Sequence, residues 1–147
     1  MHLVDDASTQ AIGKRVAKNC EPPLIIYLSG ELGAGKTTFA RGFLRALGHD
    51  EIVKSPTFSL VETYQLENFT IYHFDLYRLN DPAELEFTGI RDLSAEAEAI
   101  CLIEWPNRGG RDTPPPDLII NFEHSGNHRD LEFSSKSTKG QLIIDKF

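Results

Sequence analysis

The chain is poor in sulfur and in positive charge. Its 147 residues include two cysteines, one methionine and one tryptophan, and 15 Lys plus Arg stand against 22 Asp plus Glu, a formal charge of −7. Two cysteines so far apart, Cys20 and Cys101, make no C-x-x-C pair, and no histidine stands at zinc-ligand spacing, so neither a disulfide scaffold nor a structural zinc site is expected. Cys101 lies inside the apolar run "AICLIEW", where an inert buried thiol is expected rather than a reactive one. The acidic balance works against independent binding to a phosphate backbone. If RNA is involved, another protein is expected to hold it. No apolar run approaches the roughly 18 residues of a membrane span, and the start "MHLVDDASTQ" has acids where a secretory signal has bases and then apolar residues. A cytoplasmic protein without membrane contact is the expectation. Low-complexity tracts and internal repeats are absent too, which leaves an ordinary globule of one domain spanning residues 1–147.

The pattern of apolar residues orders this domain. Ser8 or Thr9 is the expected cap of a first helix whose Ile12 and Val16 share a face, and Pro22-Pro23 ends it. "LIIYL" has the short, uncharged, β-branched character of a buried strand. From Gly35 the spacing of Phe39, Ala40, Phe43, Leu44 and Leu47 predicts a helix, with Gly48 at its C′ position. "TFSLVETYQ" and "TIYHFDLYR" predict an antiparallel strand pair around Glu67-Asn68. Asp81-Pro82 and Gly89 bracket a helical segment, and "AICLIEW" predicts a second interior strand beside the first. "NRGGRDTPPPD" breaks the pattern; the C-terminal remainder of the chain is too short for its own core, so this segment reads as a connection within the domain. "LIINF" and "RDLEF" then alternate like strands around "HSGN", and "QLIIDKF" closes the chain. The expected fold class is α/β, a mixed, mostly central sheet flanked by helices.

Between the first strand and the second helix stands "GELGAGKT". Gly30, Gly35, Lys36 and Thr37 fill the pattern G-x-x-x-x-G-K-[ST], with Gly33 a further glycine inside it. Backbone N–H groups of such a loop turn inward around a phosphate, and glycines permit that path without a Cβ in the way. The helix beginning here aims its positive end at the same anion. Lys36 is thereby expected to bridge β- and γ-phosphates and the Thr37 hydroxyl to bind Mg²⁺. A magnesium-assisted reaction also needs an acid at the end of a neighbouring strand, and Glu104 closes "AICLIE" in that place. Period-2 alternation puts Ile71, His73, Asp75 and Tyr77 on one strand face. For Asp75 a structural pair with Arg78 and a catalytic role stand level; for Trp105, packing is favoured over shielding the site. "KSPTF" reads as a strand start rather than a switch around Thr57. No N-K-x-D segment is present, which speaks against GTP, and only "NRGGR" is available as the arginine-bearing lid of a small-molecule kinase.

"GELGAGKTTFARG", "VKSPTFSLVETY", "YHFDLYRL", "ELEFTGIRD" and "ICLIEWP", in this order and spacing, closely resemble the bacterial TsaE family, the small ATPases of tRNA threonylcarbamoyladenosine synthesis. The resemblance covers roughly Gly13 to Pro106; from Asn107 onward it is one of general pattern. It implies a P-loop NTPase-like domain that binds ATP and Mg²⁺ and hydrolyses slowly alone. It further implies work with TsaB and TsaD, and contact with tRNA only through that complex. Carried over residue by residue, it implies that Gly30, Glu31, Leu32, Gly33, Ala34, Gly35, Lys36, Thr37 and Thr38 hold the nucleotide. Thr37 and Glu104 would hold the metal, and Lys36, Asp75 and Glu104 would carry catalysis, with Asp75 near the γ-phosphate and its attacking water. Ser55, Thr57 and Trp105 would be switch-like, and Asp6 and Gly126 would lie near the nucleotide. Two alternatives remain beside the ATPase: a small-molecule kinase, and a nucleotide-gated scaffold whose hydrolysis is incidental.

Overall fold

A computed structural model describes residues 1–50, 53 and 60–147. One seven-stranded sheet runs through the chain. In order along the sequence its strands are β1 (His2–Leu3), β2 (Leu24–Gly30), β3 (Val61–Gln65), β4 (Thr70–Asp75), β5 (Ala99–Glu104), β6 (Leu118–Ser125) and β7 (His128–Ser135). Across the sheet the order is β1-β7-β6-β2-β5-β4-β3. The central four, β6, β2, β5 and β4, pair in parallel, while β3 on β4 and β7 on β6 are antiparallel hairpin partners. The two uniformly apolar runs of the sequence are therefore neighbours, β2 against β5, as their lack of charge requires of strands covered on both faces.

Alternation along the strands divides the core in two. Ile71, Ile100, Leu102, Ile26 and Leu28 face the cluster built with α1 (Asp6–Lys18) and α2 (Lys36–Ala46), while Tyr72, Phe74, Cys101 and Ile103 face Leu76, Leu85 and Ile90 on the other side. The second face is covered by the 3₁₀ segment Pro82–Thr88, by α3 (Ile90–Ser94) and by a second 3₁₀ segment, Pro106–Asp112. Both thiols are buried, and burial pushes each up to about 12, so they are inert packing groups.

The first helix begins earlier than expected. Asp5 caps it, its carboxylate accepting the Ser8 N–H at 2.7 Å and the Ser8 hydroxyl at 2.6 Å, so Ser8 supports the cap and Thr9 lies inside the helix. The strand expected over "TIYHFDLYR" stops at Asp75, because its Oδ1 takes the Tyr77 N–H at 3.0 Å and Leu79 N–H turns back to the Leu76 carbonyl. Of the strand expected over "TFSLVETYQ", Val61–Gln65 is formed, and residues 57–59 lie outside the described residues. Helix α2 ends as expected: the Gly48 and His49 N–H groups return to the Arg45 and Leu44 carbonyls, with Gly48 at C′. The Pro-rich connection is stitched to the sheet, since Asp117 exchanges its backbone N–H and a carboxylate oxygen with Ile25. The last helix, α4 (Thr138–Ile144), starts at a Ser137 cap.

Helices α1 and α2 cross at two glycines. A Cβ on Gly13 would be driven into the Phe39 carbonyl, and one on Gly42 would lie 2.6 Å from the Gln10 Cα. Backbone against backbone cannot yield as a flexible side chain does. Gly42→Ala is therefore expected to destabilise the protein by roughly 3 kcal/mol, read from urea unfolding. A variant within about 0.5 kcal/mol of the parent, the range of a neutral surface change, would mean that the helices separate freely.

Candidate functional site

The glycine-rich loop expected to hold phosphates lies between the C-terminal end of β2 and the first turn of α2. Its last glycine, Gly35, has φ 109° and sits as the N-cap of α2, a conformation that a side chain would strain. A Cβ there would also meet the Arg129 Cδ at 2.9 Å. The loop opens on a cavity of about 310 Å³ lined by Leu32, Gly33, Gly35, Lys36, Thr37, Thr38, Asp75, Glu104, Trp105 and Arg129. That is within the size range of small-ligand sites.

Parallel pairing builds the acidic wall. Asp75 and Glu104 are register partners at the ends of β4 and β5, so two carboxylates stand side by side facing the loop. Glu104 is buried, and its Oε2 lies 2.6 Å from Nε2 of the fully buried His73. Asp75 is half-buried and accepts from the Tyr77 backbone.

Lys36 is buried at the centre. Its Nζ donates to the Gly30 carbonyl and lies 4.1 Å from the centre of the Trp105 ring. Burial pulls the Lys36 ammonium below its ordinary value, and the attraction of Glu104, Asp75 and Glu31 opposes that fall. Trp105 leaves β5 with φ 56° and ψ 50°, a left-handed turn that lays its ring over Lys36 and beside Tyr77, with ring centres 5.0 Å apart. It therefore does both things weighed for it, packing on Tyr77 and walling the cleft.

The remaining expected residues surround this centre. Gly30 and Glu31 line an adjoining cavity with Asn121, Phe122 and His124, and Ala34 is buried beneath the loop. Asp6 does not line the cleft itself; its Oδ1 pairs with Arg129 at 2.7 Å. Gly126 is at the tip of the β6–β7 hairpin, with φ 62°, and is not among the cleft-lining residues. Ser55 and Thr57 lie outside the described residues.

Two groups at the loop had no sequence signal. Arg129, on β7, reaches the cleft while donating to the Thr9 hydroxyl at 3.1 Å, and His124, on β6, donates to the Gly33 carbonyl at 2.6 Å. Both are more than ninety positions from the groups of α1 or the loop that they join. Only the sheet order brings them there.

A loop with this lysine and threonine, facing two register-paired acids, is the geometry against which the chain can be compared with known proteins. The family model described as "Threonylcarbamoyl adenosine biosynthesis protein TsaE" matches residues 3–131. The chain belongs to the TsaE family. A Haemophilus influenzae relative, a tRNA threonylcarbamoyladenosine biosynthesis protein TsaE, is 43% identical over 99% of this chain and 95% of its own length. A Bacillus subtilis TsaE is 33% identical over 97% of this chain and 89% of its own. Among solved structures, the crystal structure of Bacillus subtilis YdiB superposes with a TM-score of 0.84 at 28% identity, covering 99% of this chain and 90% of that one. The TsaE match thus takes in the glycine-rich loop, both acids and Arg129. Among the described residues, no helix is long and apolar enough to cross a membrane.

Proposed function

We propose that this TsaE-family chain binds ATP with Mg²⁺ and hydrolyses it, slowly alone and faster with TsaB and TsaD, in the threonylcarbamoyladenosine modification of tRNA. The observation that carries the reading is the juxtaposition of Lys36 and Thr37 with the paired carboxylates Asp75 and Glu104 across one cavity.

The donor set suits magnesium. Thr37 offers a hydroxyl and Glu104 a carboxylate, hard oxygen ligands without sulfur or imidazole facing the cleft, and among the described residues no group of three or more His, Cys, Asp or Glu forms a closed metal cage. A cation held by one or two protein oxygens, with phosphates and water completing the shell, is the arrangement that Mg²⁺ favours. When bound, it neutralises charge developing on the phosphate oxygens.

The chain's own residues divide the remaining work. The loop N–H groups and the first turn of α2 receive phosphate oxygens, and Lys36 exchanges the Gly30 carbonyl for them. Asp75 would orient the attacking water and take its proton as the water oxygen bonds to the γ-phosphorus and the bond to the bridging oxygen breaks, leaving ADP and phosphate. Trp105 covers the lysine, its ring centre 4.1 Å from Nζ. Arg129, tied to Asp6 and Thr9, lines the cleft against Gly35 and would meet the bound nucleotide there. Hydrolysis then resets the complex between rounds, through ATP and ADP states that bind the partners differently. The acidic chain leaves tRNA to the partners.

The test is phosphate release from ATP by the protein alone and with TsaB and TsaD. Slow release that the partners raise at least tenfold is expected. Bound ATP with no release under either condition would instead favour the scaffold, and transfer of label from ATP to a small acceptor would favour the kinase.

A further inference from the structure

The Glu104 carboxylate is held from behind. His73 and Glu104 are on adjacent parallel strands, His73 opposite Leu102 and Glu104 opposite Asp75, so the ring and the carboxylate meet diagonally on the face that looks towards the phosphate loop. Their 2.6 Å contact lies in the interior, with His73 fully buried and Glu104 3% exposed. A carboxylate has no proton to give. The imidazole must therefore donate from Nε2.

This arrangement leaves a polar atom stranded. His73 Nδ1 is buried and has no hydrogen-bond partner. An unpaired buried nitrogen carries a desolvation penalty. On the same face of β4 and β5 the neighbouring positions are Ile71, Ile100 and Leu102, all fully buried. A leucine at position 73 would fit that company and remove the stranded nitrogen, but it would leave the buried Glu104 Oε2 without its donor. What the histidine does that leucine would not is hold Glu104 Oε2.

We infer that His73 is a positioning residue for the cation: it fixes the Glu104 carboxylate in the orientation that meets Mg²⁺, leaving the second oxygen to the metal. The inference rests on the reading of Glu104 as a metal-site residue. Its physical basis is general, since outer groups that orient a ligating carboxylate change metal affinity by about 10–100-fold when removed. Asp75 is held in a similar way through the Tyr77 N–H, so both acids of the cleft meet the ligand already oriented.

The experiment measures affinity for a fluorescent ADP analogue with and without Mg²⁺, across a magnesium titration, in the parent, His73→Leu, His73→Gln, His73→Asn and Glu104→Gln. For His73→Leu the Mg²⁺ concentration at half-effect should rise by about 10–100-fold, with metal-free affinity unchanged in the folded variant and a melting temperature below the parent's, because the buried Glu104 oxygen loses its donor. A glutamine amide can reach Glu104 from the Nε2 position and should restore most of the loss. Asparagine, one methylene shorter, should behave as leucine, and it keeps the comparison alive if the leucine variant does not fold. Parental magnesium dependence in folded His73→Leu or His73→Asn, with that dependence lost in Glu104→Gln, overturns the positioning role alone. Absence of magnesium dependence in the parent overturns the metal assignment and the positioning role together.

Discussion

Lys36→Ala is expected to weaken ATP binding and to lower phosphate release by roughly 10²–10³-fold, the loss typical of a preorganised charged donor removed from a reaction centre. The charges around the cleft make the direction firm. Among the described residues, Lys36 is the buried cation of a site whose nearby acids are Glu31, Asp75 and Glu104, and the other cation lining it, Arg129, is paired with Asp6. Without the lysine, the charged side chains that a polyanion would face are, among the described residues, mainly carboxylates. The fold should survive, because the side chain lost is a desolvated ammonium whose hydrogen bond is to one loop carbonyl. Calorimetric titration with ATP and a phosphate-release assay measure the two losses, and a thermal melt separates them from unfolding. Parental binding by the folded variant would sink the phosphate-loop reading.

Glu104→Gln is expected to separate binding from turnover. The amide oxygen can still accept from His73, so the pocket keeps its shape, while the negative charge that would hold the cation is gone. Nucleotide should still bind through the loop and Lys36. Phosphate release should fall by about 100-fold or more, as for loss of one electrostatic stabiliser, and higher magnesium should recover only part of it. With TsaB and TsaD present, the variant should support a first round of tRNA modification and fail to repeat it. Sustained multiple rounds would show that hydrolysis does not reset the complex. Lys36→Ala fails at binding and Glu104→Gln after it, so the pair distinguishes an ATPase cycle from nucleotide binding alone.

The parts of the site legible in the sequence were those written in consecutive residues. "GELGAGKT" announces its own backbone path, and "AICLIE" ends an uncharged run on an acid, so strand, loop and carboxylate arise from local pattern. The face shared by His73 and Asp75 came from alternation alone, and the register of β4 on β5 then set Asp75 beside Glu104. Arg129 and His124 were illegible for the opposite reason: each acts across a sheet whose order is fixed by packing, and nothing near them in sequence differs from an ordinary hairpin. The first helix was displaced by three or four residues because "DDAST" offers several oxygen-bearing caps in succession. Asp5 takes the role through its carboxylate, and Ser8 serves as its donor. Trp105 shows a further limit, since one side chain fills two roles that spacing treats as alternatives.

The glycine crossing of α1 and α2 has a mechanical consequence. Helix α2 carries Lys36 and Thr37 on its first turn, and α1 carries Asp6 and Thr9, which hold Arg129. With backbones in contact at Gly13 and Gly42, the two helices have no layer of side chains to slide on. They form a single jaw. The opposite wall, where Asp75 and Glu104 end their strands, is joined to that jaw through the pairing of β5 with β2, the strand that leads into the loop. Lysine, acids and arginine thus keep their spacing through continuous backbone contact, the condition for a site set before any ligand arrives.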